Sequence, residues 1–320
     1  MSNRLSFVIP VRNEEATIKP LFYRINEVMV REGIDSYEVL FIDDGSSDRS
    51  WKEITELIPQ HPTLIKGIKL RRNFGKSAAL SAGFGKATGN IIFTLDGDLQ
   101  DDPAEIPKFL QKLESGYDLV TGWRKRRNDP LSKTLPSKLF NRVTSLLTGV
   151  KLHDFNCGFK AYRKEVLDCI KLYGELHRYI PVLAHSLGFR ITEVAVEHHH
   201  RQHGKSNYGL ERYARGFLDL LTVLATTHYL RKPGHLFGGL GLLVGAVGVA
   251  ALIYLSILWL MEIRPIGTRP LFFFGILCVI LSVQLISLGV LAELVTRNVN
   301  DDYVEKQICE VIDESEKKSD

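Results

Sequence analysis

Hydrophobic and polar positions alternate in short blocks from Met1 to about Leu230. Runs rich in β-branched and aromatic residues predict strands, and the helical periodicity between them predicts helices. The predicted strands are Leu5–Val11, Tyr37–Asp43, Leu64–Leu70, Asn90–Leu95 and Asp118–Thr121. The predicted helices lie near Glu14–Arg31, Asp48–Leu57, Lys76–Ala87 and Pro103–Leu113. This alternation predicts an α/β fold with a mostly parallel sheet.

Polar residues gather directly after the predicted strands. These polar segments are Asn13–Glu15, Asp43–Ser46, Arg71–Asn73 and Asp96–Asp98. In an open α/β sheet, ligands bind outside the carboxyl ends of the strands. We therefore expect loops from separate parts of the chain to converge on one cleft.

Charged residues nearly vanish between Gly234 and Leu294, where two apolar segments occupy about 236–260 and 271–294. Each exceeds the ~20 residues that span a bilayer core. A buried helical hairpin in a soluble domain is the alternative interpretation. Two spans put both chain ends on one side, and the lysine and arginine asymmetry around them is weak. Because the short run Leu5–Pro10 predicts a strand and no secretory signal, we expect a multi-pass inner (plasma) membrane protein with a cytoplasmic amino-terminal domain.

The predicted domains are a cytoplasmic catalytic domain at 1–206, a juxtamembrane helix at 207–232, two transmembrane helices at 233–297 and an acidic cytoplasmic tail at 298–320. Two amphipathic helices are predicted at Asn207–Leu230 and Ser132–Leu147, each with leucines on one face and charges on the other. Each of these two helices could pack against the catalytic domain or contact the membrane surface. Asn207–Leu230 lies directly before the first span, and this position favours contact with the membrane surface for that helix.

Charge and cysteine content exclude several classes of protein. The formal net charge of +4 is too small to indicate a nucleic-acid partner. The four cysteines lie far apart without a C-x-x-C pair, so neither a zinc site nor a disulfide framework is indicated. His198, His199 and His200 with His203 suggest zinc, but contiguous histidines on a strand alternate faces and cannot all converge.

The D-x-D turn at Asp96–Asp98 is the strongest chemical signal, because it follows an apolar strand. Carboxylates at i and i+2 of a tight turn can face one hard cation, and Gln100 adds a neutral oxygen nearby. Mg²⁺ or Mn²⁺ takes one or two protein carboxylates and fills its other positions with phosphate and water. A solvated acidic turn is the alternative, but a second acidic turn in the same cleft favours the metal site.

That second turn runs from Asp43 to Asp48, and Gly45 permits its geometry. Asp48 is expected to cap the following helix. Asp43 or Asp44 could accept hydrogen bonds from a nucleobase N–H or a ribose hydroxyl. The loop 10–15 would form the other wall of this pocket.

Several motifs, in this order and spacing, resemble the inverting family-two glycosyltransferases of the GT-A fold, which have a Rossmann-like sheet. They are I-P-V-R-N-E-E at 9–15, D-D-G-S-S-D at 43–48, R-N-F-G-K at 72–76 and L-D-G-D-L-Q-D-D-P at 95–103. The later segments Gly122–Arg124, Asn156–Arg163 and Arg201–Ser206 are similar to the polyprenyl-phosphate glycosyltransferases. That group contains dolichyl-phosphate mannose synthase and bacterial bactoprenol glucosyltransferases, and the two apolar segments favour the bacterial branch.

The resemblance, which covers essentially the whole chain, implies roles for individual residues. The nucleotide-sugar site would comprise Pro10, Arg12, Glu14, Asp44, Lys76, Asp96 and Arg201. The metal ligands would be Asp96, Asp98 and Gln100, and the acceptor phosphate would meet Arg124, Lys133 and Ser137. Asp98, Asp154 and Arg201 are the expected catalytic residues. The sequence departs from the family at Lys133, where arginine is common. Lysine keeps the positive charge but lacks the bidentate fork of arginine. A second departure is Lys205–Asn207, where family members often have Glu-Ser-Lys.

The expected reaction moves a hexose, with glucose from UDP-glucose the first candidate, onto polyprenyl (undecaprenyl) phosphate. A phosphate monoester has its second pKa near ~6, so it is already a competent nucleophile at neutral pH. Asp154 is the obvious general base, but a structural or sugar-binding role is equally open. The expected partners are the nucleotide sugar, the lipid phosphate and the bilayer, with a flippase and a homo-oligomer as further possibilities.

Two other functions remain open. One is a processive polysaccharide synthase of the same fold, although such enzymes usually carry a Q-x-x-R-W motif that this sequence lacks. The other is a catalytically silent membrane scaffold that binds nucleotide sugar, although Asp96, Asp98 and Arg201 are all present.

Overall fold

A computed structural model describes residues 4–125, 141–172, 174–199, 233–263, 265 and 267–297. The chain divides into two compact units, Met1–Leu224 and Ala225–Asp320. The predicted juxtamembrane helix, the acidic tail and most of the predicted helix Ser132–Leu147 lie outside the described residues.

The described part of the first unit contains a seven-stranded sheet with helices on both faces. The strands are β1 (Leu5–Val11), β2 (Tyr37–Asp43), β3 (Ile65–Lys69), β4 (Ile91–Thr94), β5 (Leu119–Arg124), β6 (Lys160–Arg163) and β7 (Ile191–Val196). Their order across the sheet is β3-β2-β1-β4-β6-β5-β7. β6 is antiparallel to β4 and β5, and the other neighbouring pairs are parallel. The prediction of a mostly parallel sheet is confirmed.

The helices of this unit follow the strands. They are α1 (Ile18–Arg31), α2 (Ser50–Leu57), α3 (Lys76–Phe84), α4 (Ile106–Glu114), α5 (141–148), α6 (Lys164–Asp168) and α7 (Ile180–Ser186), with short 3₁₀ turns at Ile58–Gln60, Pro103–Glu105 and Leu176–Arg178. β1 and β2 have the predicted bounds, whereas β5 extends three residues further and reaches Arg124. β6 and β7 have no counterpart among the predicted strands.

Successive residues of the central strands point to opposite faces and build two apolar layers. Phe7 and Ile9 of β1 pack with α1, α2 and α4, where Phe22 and Phe109 are fully buried. Val8, on the other side of β1, packs in the cluster formed with α3, α6 and α7. The sheet is therefore buried on both faces, and its polar loops are displaced to the ends of the strands.

The second unit contains two apolar helices, α8 (Pro233–Leu260) and α9 (Pro270–Arg297). Phe237–Leu260 and Pro270–Leu294 are long and apolar enough to cross a membrane. Small residues allow the helices to approach closely: a Cβ added at Gly248 would lie 2.8 Å from the Gly275 carbonyl oxygen, and one at Gly245 would lie 2.5 Å from Ser282 Oγ. Such small-residue contacts are typical of helix pairs in membranes.

Candidate active site

The D-x-D turn lies at the carboxyl end of β4 and is held against the loop that follows β1. The Thr17 hydroxyl, at the start of α1, donates to the Gly97 carbonyl at 2.5 Å. A Cβ added at Gly97 would lie 2.9 Å from Val11 Cγ1. Leu99 has a φ of 59°, a left-handed conformation that costs about 1–3 kcal/mol for a non-glycine residue. The surrounding contacts hold this strained turn in place, as is common at functional sites.

The Asp96 carboxylate is surrounded by positive charge. Its Oδ1 accepts a hydrogen bond from Lys76 Nζ in an ion pair. Burial alone would raise the pKa of Asp96. The charges of Lys76, Arg124 and Lys160 outweigh burial and hold the pKa of this carboxyl below its usual range. The side chain is therefore ionised and ready to interact with a cation.

Gly158 forms the floor beneath this carboxylate. A Cβ at position 158 would lie 2.5 Å from Asp96 Oδ2, so only glycine fits there without a shift. The Gly158 carbonyl accepts a hydrogen bond from the Thr94 hydroxyl at 2.8 Å, which fixes the backbone beside the end of β4.

Asp98 and Gln100 complete the predicted metal-binding set. Asp98 Oδ1 accepts the Gln100 N–H at 3.1 Å, which closes the turn. Gln100 Nε2 donates to the His199 carbonyl at 3.2 Å, and the His199 N–H returns a bond to the Gln100 carbonyl at 2.9 Å. With its amide nitrogen anchored in this way, Gln100 can offer its amide oxygen to a cation.

His198 and His199, the described members of the histidine run, contact different carboxylates. His199 Nε2 lies 3.1 Å from Asp102 Oδ2, and His198 Nδ1 lies 3.8 Å from Asp101 Oδ1. Among the described residues there is no group of three or more histidine, cysteine or acidic side chains suited to a metal ion. The oxygen donors of the D-x-D turn and Gln100 fit Mg²⁺ or Mn²⁺, because these ions need few protein carboxylates when phosphates supply the rest.

The predicted nucleotide pocket lies between the loops after β1, β2 and β3. Asp44 is buried, and its carboxylate accepts the N–H groups of Phe74 at 2.7 Å and Gly75 at 3.0 Å. A Cβ at Gly45, whose φ is +70°, would lie 2.5 Å from the Asn73 nitrogen, so the loops after β2 and β3 touch. Asp44 thus shapes the pocket by holding its third loop.

Asp43 is the better acceptor for a ligand. Its Oδ1 accepts the Ser46 N–H at 2.9 Å, while its buried Oδ2 has no hydrogen-bond partner among the described residues. An unpaired buried carboxylate oxygen is costly, and a ligand N–H or hydroxyl would satisfy it.

The first loop reaches the pocket at Pro10, Arg12 and Glu14. Pro10 is half-buried at the end of β1, Arg12 is exposed, and the Glu14 N–H donates to Ser50 Oγ at 2.8 Å. Asp48 has the predicted capping role, because its Oδ1 accepts the Ser50 N–H at 2.9 Å at the start of α2. The formal N-cap is the next residue, Arg49, whose side chain makes no capping bond.

Arg124 and Asp154 form a buried ion pair beside the D-x-D turn. Arg124 Nε donates to Asp154 Oδ2 at 2.8 Å and Arg124 Nη2 donates to Oδ1 at 3.2 Å. Burial would lower the pKa of Arg124, but the charge of Asp154 outweighs it and raises the pKa. Asp154 Oδ1 also accepts the Asn156 N–H at 3.1 Å. The predicted base is therefore engaged in orienting Arg124.

Lys160 is a residue of this site that sequence reasoning missed. It is 4% exposed on β6, and its Nζ donates to the Cys157 carbonyl. Burial lowers the pKa of Lys160 to about 8. The available signal was a lysine flanked on both sides by apolar residues, Phe159 and Ala161. Lys133, Ser137 and Arg201 lie outside the described residues, so their predicted roles stay predictions.

A mostly parallel sheet covered by helices on both faces, with a D-x-D turn and cationic side chains at its carboxyl edge, defines a transferase of the GT-A fold. Residues 6–171 match the family described as Glycosyl transferase family 2. The chain belongs to this family and is a glycosyltransferase, as its motifs predict.

Two relatives match along nearly the whole chain. One is the dodecaprenyl-phosphate galacturonate synthase of Rhizobium johnstonii, which is 40% identical over 96% of this chain and 93% of its own length. Another is the undecaprenyl-phosphate 4-deoxy-4-formamido-L-arabinose transferase of Aeromonas hydrophila, which is 36% identical over 93% of this chain and 90% of its own length. The predicted resemblance to polyprenyl-phosphate enzymes of this family is thus confirmed.

Solved structures show the same fold at lower identity. Glucosyl-3-phosphoglycerate synthase from Mycobacterium tuberculosis, in complex with Mn²⁺, UDP and phosphoglyceric acid, aligns with a TM-score of 0.53. The identity is 20%, over 70% of this chain and 78% of that chain. The same enzyme in complex with Mg²⁺ and UDP gives a TM-score of 0.53 at 20% identity, over 70% of this chain and 79% of that chain.

Proposed function

We propose that this glycosyltransferase moves one sugar residue from a nucleotide sugar to polyprenyl phosphate at the cytoplasmic face of the membrane. The observation that carries the proposal is the segment 154–160, which contacts both the guanidinium proposed for the acceptor phosphate and the carboxylate proposed for the metal ion of the donor. Its Asp154 orients Arg124, and its Gly158 lies directly against Asp96. A donor diphosphate held through a metal ion at Asp96 and an acceptor phosphate at Arg124 would therefore be neighbours.

The names of the relatives support a lipid phosphate as acceptor. Both are named for transfer to a polyprenyl phosphate, and both match this chain over nearly its whole length. The two apolar helices would keep the enzyme at the membrane in which such a lipid resides. Lys133 and Ser137 are proposed to join Arg124 at the acceptor phosphate.

The donor side follows from the carboxylates of the D-x-D turn. Asp96 and Asp98, with Gln100, would hold Mg²⁺ or Mn²⁺, which supplies charge neutralisation to the departing nucleoside diphosphate when bound. Lys76, whose ammonium pairs with Asp96, is proposed to donate to the same phosphates once they are bound, and Arg201 is proposed to reach them as well. Asp43 accepts a base N–H or ribose hydroxyl through its unpaired oxygen, while Asp44 shapes the pocket wall.

The acceptor needs little activation, because a phosphate monoester is largely a dianion at neutral pH. Asp154 then acts by holding the Arg124 guanidinium in place, and proton removal is not required of it. Positioning and charge stabilisation are the remaining tasks of the chain. The acceptor oxygen attacks the anomeric carbon opposite the departing diphosphate, so the configuration inverts and an α-linked donor gives a β-linked lipid phosphate.

The sugar is the least constrained part of the proposal. Glucose from UDP-glucose stays a prediction from the sequence motifs. The relative that is 40% identical is named for galacturonate, so galacturonic acid from its UDP-sugar becomes the stronger candidate.

A donor panel tests the proposal. The full-length enzyme with undecaprenyl phosphate and Mg²⁺ is offered UDP-glucose, UDP-galacturonic acid and GDP-mannose, with 3-phosphoglycerate as a soluble control acceptor. We expect a lipid carrying one sugar, formed fastest with UDP-galacturonic acid. Repeated addition of sugars would support a processive synthase instead. Nucleotide-sugar binding without product from any donor would support a silent scaffold.

A further inference from the structure

A cavity of about 580 Å³ opens beside the amino ends of β5 and β7, at the opposite end of these strands from Arg124. Its lining includes Tyr117, Lys151, Leu152, His185, Phe189 and Arg190. The donor and acceptor residues of the proposed reaction are not among the residues that line it. The cavity is therefore a separate feature of the catalytic unit.

The cavity is basic and has an aromatic wall. Lys151, His185 and Arg190 bring two fixed positive charges and one titratable group, and none of the lining residues is acidic. The Arg190 guanidinium stacks over the Tyr117 ring at 5.3 Å, while the Arg190 backbone N–H donates to Asp118 Oδ2 at 2.7 Å. No ion pair between described residues includes Lys151, His185 or Arg190, although Asp118, which accepts the Arg190 backbone N–H, follows the lining residue Tyr117. This chemistry suits an anion that carries an apolar portion.

The adjacent helix α5 exposes two leucines, whereas its Val143 packs against a buried apolar cluster. Its polar side chains Asn141, Thr144 and Thr148 are buried, whereas Leu146 is 82% exposed and Leu147 is 47% exposed. At these positions the buried polar and exposed leucine side chains reverse the arrangement that is usual for a helix on a water-facing surface. Exposed leucines beside basic side chains are typical of a surface that lies at the bilayer interface.

The segment that carries Lys151 also leads to the acceptor side of the site. Lys151 and Asp154 are three residues apart, so their Cα atoms are at most about 11 Å from one another. Asp154 holds Arg124, which is proposed to meet the acceptor phosphate. One short segment therefore joins the cavity to the proposed acceptor site, although the two lie at opposite ends of β5.

We propose that this cavity binds the headgroup phosphate of an anionic phospholipid, distinct from the acceptor lipid, and so fixes the catalytic unit on the bilayer surface. The two leucines of α5 enter the interface beside the bound headgroup. This inference rests on the membrane location within the proposed function. It is independent of which sugar is transferred and of which polyprenyl phosphate accepts it.

Lipid titration of the full-length protein tests the inference. Delipidated protein in mild detergent is titrated with phosphatidylglycerol or phosphatidylcholine, and bound lipids are counted by native mass spectrometry. We expect preferential binding of phosphatidylglycerol. Because each basic residue near an anionic membrane contributes about fivefold, Lys151→Gln with Arg190→Gln should weaken that binding roughly 25-fold. The matched control, Lys164→Gln with Lys171→Gln, changes two exposed lysines of the same unit and should leave it unchanged.

Additional variants and ligands distinguish a lipid phosphate from a soluble phosphate and control for misfolding. Lys151→Glu alone alters one exposed side chain and should also lower the phosphatidylglycerol preference. Leu146→Gln with Leu147→Gln should weaken phosphatidylglycerol binding and leave binding of inorganic phosphate unchanged. Equal phosphatidylglycerol affinity in wild type and all cavity variants would overturn the proposal. Inorganic phosphate or glycerol 3-phosphate bound as tightly as phosphatidylglycerol would also overturn it, because the ligand would then be a soluble anion.

The lipid-binding test and the sugar-transfer test of the proposed function can fail independently of one another. The cavity variants should still transfer sugar in phosphatidylcholine nanodiscs, because none of them touches the donor or acceptor residues. A wild type that prefers phosphatidylglycerol yet transfers no sugar to a polyprenyl phosphate would contradict the proposed function alone.

Discussion

The Asp96 carboxylate depends on the absence of a side chain at position 158. Gly158→Ala places a methyl group 2.5 Å from Asp96 Oδ2, so the carboxylate or the backbone before β6 must move. We expect Gly158→Ala to lower transferase activity at least tenfold and to weaken Mn²⁺ binding, measured by titration calorimetry with the nucleotide present.

Gly85→Ala is the matched control, because a Cβ there meets nothing closer than 3.6 Å. It should leave both activity and Mn²⁺ binding near the wild-type values. Equal activity in the two alanine variants would show that the Asp96 position is not critical.

Burial of Lys160 leads to a prediction about pH. Its pKa is about 8 in the folded protein against 10.5 for the free side chain, because burial disfavours the charged form. The unfolded chain therefore binds more protons between these values, and this residue makes stability rise as the pH increases from about 8 to 10.5. Thermal unfolding of the solubilised protein should show that rise relative to Lys160→Met, in which this contribution is absent. Identical pH profiles for the two proteins would contradict a lowered pKa of Lys160 in the folded protein.

At the scale of elements, the sequence pattern identified β1 and β2 because each is a seven-residue strand rich in apolar and β-branched residues. β6 was missed because Lys160–Arg163 is four residues long and has a charge at each end. β7 was missed because it lies at the edge of the sheet and its first three residues, which include Thr192 and Glu193, are only partly buried. Both strands pair with strands that are distant in sequence, so the local pattern does not reveal their neighbours in the sheet.

The site was predictable where a motif fixes chemistry locally, as at Asp96 and Asp98. It was less predictable where a tertiary contact decides the role. The Asp44 carboxylate accepts the N–H groups of Phe74 and Gly75, and the Asp154 carboxylate accepts a hydrogen bond from Arg124. Neither partner is near in sequence, so propensity and spacing contain no information about these contacts.

The apolar helix pair α8 and α9 depends on glycine at the point of closest approach. Gly248→Leu would force a side chain into the Gly275 backbone, because a Cβ at position 248 would lie 2.8 Å from the Gly275 carbonyl oxygen. Overpacking of this kind costs typically about 1–3 kcal/mol. We expect a lower melting temperature in detergent micelles. Gly238→Leu, where nothing lies within 4 Å of an added Cβ, should have little effect, and equal losses in both variants would refute close packing at Gly248.

At the scale of the whole molecule, two apolar helices predict that both chain ends lie on one side of the membrane. Reporter tags at Met1 and Asp320 should both be protected in intact cells, whereas a tag near position 266 should be accessible from outside. Labelling with a membrane-impermeant reagent measures this. An accessible tag at Asp320 would show that only one of the two helices crosses the bilayer.

Metal-dependent transfer to a lipid phosphate is tested by following labelled sugar from a nucleotide sugar into a polyprenyl-phosphate product, for wild type and Asp98→Asn. The neutral amide cannot offset the charge of a cation, so Asp98→Asn should retain less than a tenth of the wild-type rate, a loss of more than about 1.4 kcal/mol of transition-state stabilisation. EDTA should inhibit the wild type, and added Mg²⁺ or Mn²⁺ should restore it. The exposed control Glu27→Gln on α1 should transfer at the wild-type rate. A folded Asp98→Asn enzyme that keeps more than a tenth of the rate would contradict the metal-dependent mechanism at this turn.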